Sequence, residues 1–312
     1  MLCVFPTSPN RPHLFVSCSA AFHADLWPRR TVFRLRCVVP TSPDRPHLFV
    51  SCSIVMQTPI LPVVYCDDHL IAVAKPSGMF VHRTDEDRSD TQVVLQLVRE
   101  HVGSFVYSIH RLDRGTSGLV LLGLTMEAAS RMNKLFANRE VSKTYLALVR
   151  GHCPKTGLMD MPLVSSRGRG QPADHPHAHP QEAETRFSSE EYFELPIPCQ
   201  RYATTRCTLV RVRPLTGRFH QIRRHFNYAS HPIIGDTSHG DSRHNTLYRR
   251  HFGLDRLMLA AVELHFVHPF TGEAVTIEYS PDESFSQLIE TLRTRTETSP
   301  QKQQSRSSSD PP

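Results

Sequence analysis

The spacing of apolar positions changes period along residues 63–279, and each period predicts an element. Val63–Cys66 and Leu70–Lys75 are apolar runs separated by Asp67-Asp68-His69, which predicts a hairpin leading into a turn at Pro76–Gly78. Over residues 89–102 the spacing becomes helical. Val94, Leu97, Val98 and His101 share one face there, with Ser89 or Asp90 as the cap. Residues 105–113 and 118–125 read as strands flanking a polar loop. The second is apolar on both faces, as a central buried strand would be. Residues 126–140 form an amphipathic helix with Met132, Leu135 and Phe136 inward, and residues 143–151 a strand. The stretch from Leu158 to Pro198 shows no clear period and is expected to be irregular. Residues 207–236 predict strand, turn, helix, turn. Their helix buries Phe219, Ile222 and Phe226 and leaves Gln221, Arg224 and His225 on other faces. Residues 261–279 close the domain as a hairpin turned by Pro269, Thr271 and Gly272. Hairpins mixed with helices favour an α+β fold with a largely antiparallel sheet over a doubly wound parallel one.

The two ends differ from this middle part. Residues 3–19 and 37–53 are copies at an offset of 34, identical at 15 of 17 positions. Prolines at 6, 9 and 12 and their counterparts rule out a helical repeat. Cys3, Cys18, Cys37 and Cys52 lack the short spacing of a metal-binding pair. Residues 1–55 are therefore expected to be poorly ordered, non-catalytic sequence outside a domain spanning 56–293. Residues 294–312 contain no core-forming run and read as a disordered tail.

Composition narrows the class. No stretch approaches the ~20 apolar residues of a membrane span, and the N terminus lacks the order of a secretory signal. Eight scattered cysteines in 312 residues suit free thiols in a reducing cytoplasm rather than a disulfide scaffold. The net charge of +6 misleads, because residues 1–55 hold six arginines against only Asp25 and Asp44. Basicity matters only where it clusters.

It clusters between Arg206 and His225, where Arg206, Arg211, Arg213, Arg218, Arg223 and Arg224 occur without an intervening acid, a pattern suited to a phosphate backbone. A second polar run, His110–Gly118, lies between two apolar strands. Arg111 and Arg114 flank Asp113 and are expected to keep its carboxylate ionised. Thr116, Ser117 and two glycines follow, which lets the backbone approach a ligand closely. Lys75 is assigned to a structural turn. Asp174–His179 (DHPHAH) reads as an exposed insertion, and Cys66, Cys153, Cys199 and Cys207 as core side chains.

KPSG (Lys75–Gly78), HRLDRGTSG (His110–Gly118), KTYLALVRG (Lys143–Gly151), TGRFHQIRRH (Thr216–His225) and HPIIGD (His231–Asp236) occur in that order. Together they resemble the pseudouridine synthases of the RluA type, over residues 63–279. The compact length and the runs Ser230–Asp241 and Phe252–Ala261 resemble the branch of that family that modifies uridine 65 of tRNA. The resemblance implies a mixed, mostly antiparallel sheet flanked by helices around a central RNA-binding cleft. It implies tRNA as substrate, with ribosomal RNA as the alternative, and a monomer that needs no protein partner.

Isomerising uridine breaks the N1–C1′ bond and joins C5 to C1′ with no net gain of atoms or electrons, so neither metal nor nucleotide cofactor is expected. Asp113 matches the family's catalytic aspartate, acting at the ribose either by addition to C1′ or by proton removal. Arg111 matches the side chain that fills the space left by the flipped base. Tyr145 matches the active-site tyrosine, which stacks on uracil and accepts the C5 proton. Arg223 matches the basic partner of the aspartate, with Ile222 beside the base. Arg114, Thr116, Arg218, His220 and Arg224 complete the expected RNA-binding set. Intact Asp113, Tyr145 and Arg223 argue against a non-catalytic RNA-binding factor. A glycosidase is disfavoured because no second acid accompanies Asp113 in its motif.

Overall fold

A computed structural model describes residues 32–38, 49–55, 61–82, 92–164 and 179–297. The chain divides into two compact units, residues 1–60 and 61–312. In the first, β1 (Val32–Val38) and β2 (Phe49–Val55) pair antiparallel, with Cys37 opposite Val50. The second copy of the duplication thus supplies most of β2 but only the last two residues of β1, in a segment expected to lack order. The remaining residues of 1–60, including Cys3 and Cys18, lie outside the described residues.

The second unit contains β3 (Val63–Cys66), β4 (Leu70–Lys75), α1 (Val94–Val102), β5 (Tyr107–Ser108), β6 (Ser117–Gly123) and α2 (Met126–Ala137). Next come β7 (Ser142–Arg150), β8 (Thr156–Asp160), β9 (Leu163–Val164), β10 (Pro180–Gln181), β11 (Glu184–Leu195) and β12 (Thr205–Pro214). It ends with α3 (Gln221–Tyr228), α4 (Ser242–Phe252), β13 (Leu259–Val267), β14 (Ala274–Glu278) and α5 (Glu283–Glu297). A ten-stranded sheet runs β3-β4-β6-β13-β7-β12-β11-β8, with β14 on β13 and β5 on β6. Only β6–β13 is parallel among its described pairs, so the sheet is mixed and mostly antiparallel, and the fold is α+β.

Alternation of side chains across β4 and β6 explains the double-sided core. Ile71, Val73, Val120 and Leu122 pack with Val94, Leu97 and Val98 of α1. Leu70, Ala72, Leu119 and Leu121 face the other way, onto Ala128, Ala129 and Met132 of α2. Each aliphatic side chain so buried contributes about 2 kcal/mol. Leu135 and Phe136 are only half-buried against that second cluster.

Several expectations need correction. The stretch from Leu158 to Pro198 holds the twelve-residue strand β11. Its signal is hidden by a bulge at Glu190. Thr185 and Phe187 pair with Pro214 and Val212, whereas Phe193 and Leu195 pair with Cys207 and Thr205. Those partners have opposite parity on β12, so residues of equal parity on β11 bury opposite faces. Acidic side chains occupy much of what remains. His101 is exposed, the N-cap position of α1 is Val93 without a side-chain cap, and Ser89 and Asp90 lie outside the described residues. After Tyr279 the chain forms α5, which buries Phe285, Leu288, Ile289 and Leu292 at helical spacing. Thr294, the expected start of the tail, falls inside this helix, and residues 298–312 lie outside the described residues.

One register positions the functional loop. Gly118, at φ +103°, pairs with Ala261 of β13, which on its other side pairs with Tyr145 of β7. A Cβ at Gly118 would lie 2.0 Å from the Ala261 carbonyl oxygen, so only glycine fits the approach. Gly118→Ala is expected to cost at least about 3 kcal/mol and to lower the thermal midpoint sharply; a midpoint equal to wild type would show that the two strands do not meet this closely.

Candidate active site

The loop from His110 to Ser117 is clamped at both ends. His110 Nε2 accepts a hydrogen bond from the Leu121 N–H at 3.0 Å, and burial holds its pKa down to about 3, so the ring is a neutral acceptor. At the other end the Pro76–Gly78 turn docks on the loop. Ser77 Oγ donates to the Gly115 carbonyl at 2.7 Å, and the Gly78 N–H donates to that of Arg114 at 2.8 Å. Lys75, almost fully buried, donates to the carbonyls of Pro76 at 3.0 Å, Met79 at 2.8 Å and Arg114 at 3.0 Å. Burial pulls its pKa down to about 7, against the opposing charge of Asp113. The assignment of Lys75 to a structural turn therefore matches its contacts.

Between these clamps Asp113 keeps 23% of its side-chain surface exposed. Its Oδ2 accepts from Arg223 Nη1 at 3.2 Å. Arg223, in the first turn of α3, is otherwise consumed by Asp236: Nε donates to Oδ2 at 2.7 Å and Nη2 to Oδ1 at 2.9 Å. Asp236 also accepts the N–H groups of Ser238 and His239, each at 2.9 Å. Burial alone would raise the Asp236 pKa. The Arg223 guanidinium and the two amides outweigh it and hold the carboxyl below its ordinary range.

His220 precedes α3 with φ +52° and no side-chain cap. Its Nε2 lies 3.8 Å from Asp113 Oδ2, and its Nδ1 2.9 Å from His239 Nε2. Burial lowers its pKa to about 4, so near neutral pH the ring is uncharged. Tyr145 is half-buried, and burial together with the Asp113 charge pushes its phenol well above the usual range. A carboxylate reachable from outside, one locked guanidinium and a neutral phenol are thus supplied by the loop before β6, the first turn of α3 and the middle of β7.

A family model described as RNA pseudouridylate synthase matches residues 69–228, a span that contains Asp113, Tyr145 and Arg223. The chain is 44% identical to tRNA pseudouridine synthase C of Pectobacterium carotovorum over 71% of its own length and 59% of that protein. To tRNA pseudouridine synthase C of Vibrio cholerae it is 42% identical over 74% of its length and 95% of that protein. The solved structure of human RNA pseudouridylate synthase domain containing 1 overlays with a TM-score of 0.55 at 26% identity, covering 75% of this chain and 95% of that one. The chain belongs to the RNA pseudouridylate synthase family.

Within this synthase the other expected site residues are placed unevenly. Arg111 and Arg114 are exposed on the loop; Arg114 Nε donates to the Gly78 carbonyl at 3.0 Å, and its guanidinium lies 5.1 Å from the Phe80 ring centre. Neither flanking arginine is the partner of Asp113 among the described residues; Arg223, distant in sequence, is. Thr116 is buried, and its N–H closes a turn on the Asp113 carbonyl at 3.1 Å, so it shapes the loop rather than its surface. Ile222 is buried beside Arg223. Arg218 donates to the Glu182 carbonyl and Arg224 to that of Val164, each at 3.0 Å.

The arginine cluster is not unopposed. Arg206 pairs with Glu194 at 2.9 Å, Arg211 with Glu190, and Arg223 with both aspartates. Phe219, expected in the core, is exposed. Gln221 and His225, expected outside, are buried, where they bond Thr216 and Thr185. Asp236, in the HPIIGD run, is the partner of Arg223 that the local sequence pattern does not reveal. Of the Asp174–His179 insertion, residues 174–178 lie outside the described residues.

Asp236 therefore carries a testable load. Its depressed pKa stabilises the fold fully above its ordinary value of 3.8, and this contribution is lost as pH falls below that. Asp236→Asn is expected to cost about 3 kcal/mol at neutral pH and to flatten the acid limb of stability measured by denaturant melts. Parallel acid limbs in variant and wild type would refute the pairing.

Proposed function

We propose that the chain isomerises uridine to pseudouridine in tRNA, at position 65, as a cytoplasmic monomer. The observation that carries this reading is the partly exposed Asp113 carboxylate on a guanidinium that Asp236 holds in place. The names of the Pectobacterium and Vibrio relatives support tRNA as the substrate. The Ser230–Asp241 and Phe252–Ala261 runs support the position.

Asp113 meets the ribose of a uridine turned out of its helix, at a cost of a few kcal/mol in unstacking. Arg111, exposed on the same loop, fills the vacated space. Asp113 acts on the sugar, by addition to C1′ or by removing a ribose proton, and the N1–C1′ bond breaks. The base turns over on Tyr145 beside Ile222, C5 joins C1′ as Asp113 leaves C1′ or returns its proton to the ribose, N1 takes up a proton and C5 loses one. The Asp113 charge is one of the two causes that hold Tyr145 neutral.

Asp113→Asn is expected to abolish pseudouridine formation while tRNA affinity stays equal or tightens slightly, since the lost charge repels phosphate. Pseudouridine mapping of tRNA and ribosomal RNA from a deletion strain gives the substrate. Loss at a ribosomal site with tRNA position 65 intact would replace tRNA by ribosomal RNA. Full activity in Asp113→Asn would remove the assignment of the aspartate. RNA binding by wild type without isomerisation would leave a non-catalytic binding factor.

A further inference from the structure

Lys143 stands two residues before Tyr145 on β7 and is half-buried. Its ammonium has no hydrogen-bond acceptor and no acid partner among the described residues. Its neighbours are the Phe136 ring, with the centre 5.8 Å from Nζ, and the backbone of exposed Gly217, where a Cβ would lie 3.8 Å from Nζ. Lys143 also lies near enough to depress the pKa of neutral His110. It therefore sits between the loop carrying Asp113 and the turn leading into α3, two of the segments that form the candidate site. Burial without a counter-charge makes its protonated form costly, as the lowered Lys143 pKa reflects. Lys75 shows the contrast: it is more deeply buried, yet three carbonyls satisfy its ammonium. A half-buried ammonium beside exposed Gly217 and without such acceptors is a receptor for an anion supplied from outside.

We propose that Lys143 binds a backbone phosphate of the RNA, adjoining the nucleotide whose ribose meets Asp113. The inference rests on the reading of the chain as an RNA-modifying enzyme and adds a phosphate subsite to it. The glycine at 217 leaves the outer side of the ammonium uncovered, and Arg218 next to it has its Nε engaged by the Glu182 carbonyl. Of the two cations, Lys143 is the one with no hydrogen-bond acceptor and no acid partner among the described residues.

The test compares Lys143→Met and Lys143→Arg with wild type, using a tRNA transcript at several salt concentrations. Lys143→Met is expected to weaken tRNA binding about fivefold and to reduce the slope of log affinity against log salt by about one. The loss should fall mainly on KM, and Lys143→Arg should restore the slope. The thermal midpoint of Lys143→Met should equal or exceed that of wild type, because an unpaired buried cation is removed. A lower midpoint with an unchanged salt slope would make Lys143 a structural residue and overturn the proposal while leaving the enzymatic reading intact. Failure of the wild-type chain to bind tRNA would overturn both.

Discussion

Arg223 is the cation on which the site depends. Removing a guanidinium from water costs several kcal/mol unless its donors find fixed acceptors. Asp236 supplies two of them in a side-by-side arrangement, and the Ser238 and His239 amides fix Asp236 in turn. That chain of bonds removes rotational freedom from the guanidinium plane. The remaining nitrogen, Nη1, then points at a defined place, and Asp113 occupies it. Asp113 is also held from behind, since the Arg114 carbonyl next to it accepts from Lys75 and from the Gly78 amide. A carboxylate located from two sides loses little entropy when it meets a substrate.

This arrangement needs the sheet as much as the ion pair. Asp113 and Arg223 lie far apart in sequence and meet because β6, β13, β7 and β12 are neighbours in that order. Gly118, Ala261, Tyr145 and Val212 form one row across those four strands. The row brings the loop before β6 to Tyr145. The turn after β12 delivers α3. A slip of one residue in either register would turn Tyr145 to the other face of the sheet.

What the sequence reveals follows from range. The segments around Asp113, Tyr145 and Arg223 are legible because each is a local pattern of strand, turn and helix. Partners across the sheet are not. Glu190 and Glu194 neutralise Arg211 and Arg206 from β11, a strand whose bulge reverses the face of its apolar residues. Phe219 is exposed because the left-handed His220 ends the turn one residue later than the helical pattern suggests, so α3 begins at Gln221. Gln221 and His225 are polar by type, yet their bonds to Thr216 and Thr185 make burial affordable in free-energy terms.

Charge in this protein has to be counted after internal pairing. The run from Arg206 to Arg224 is basic as sequence. In the folded chain, however, Arg206, Arg211 and Arg223 meet acids, and Arg218 and Arg224 meet carbonyls. A carbonyl engages one donor but leaves the charge, whereas a carboxylate removes most of the field beyond a Debye length. The positive charge that remains unpaired by acids among the described residues of this region includes the arginines on carbonyls, the exposed Arg111 and Arg114 of the aspartate loop, and Lys143. The sequence run therefore overstates the charge that the folded segment presents.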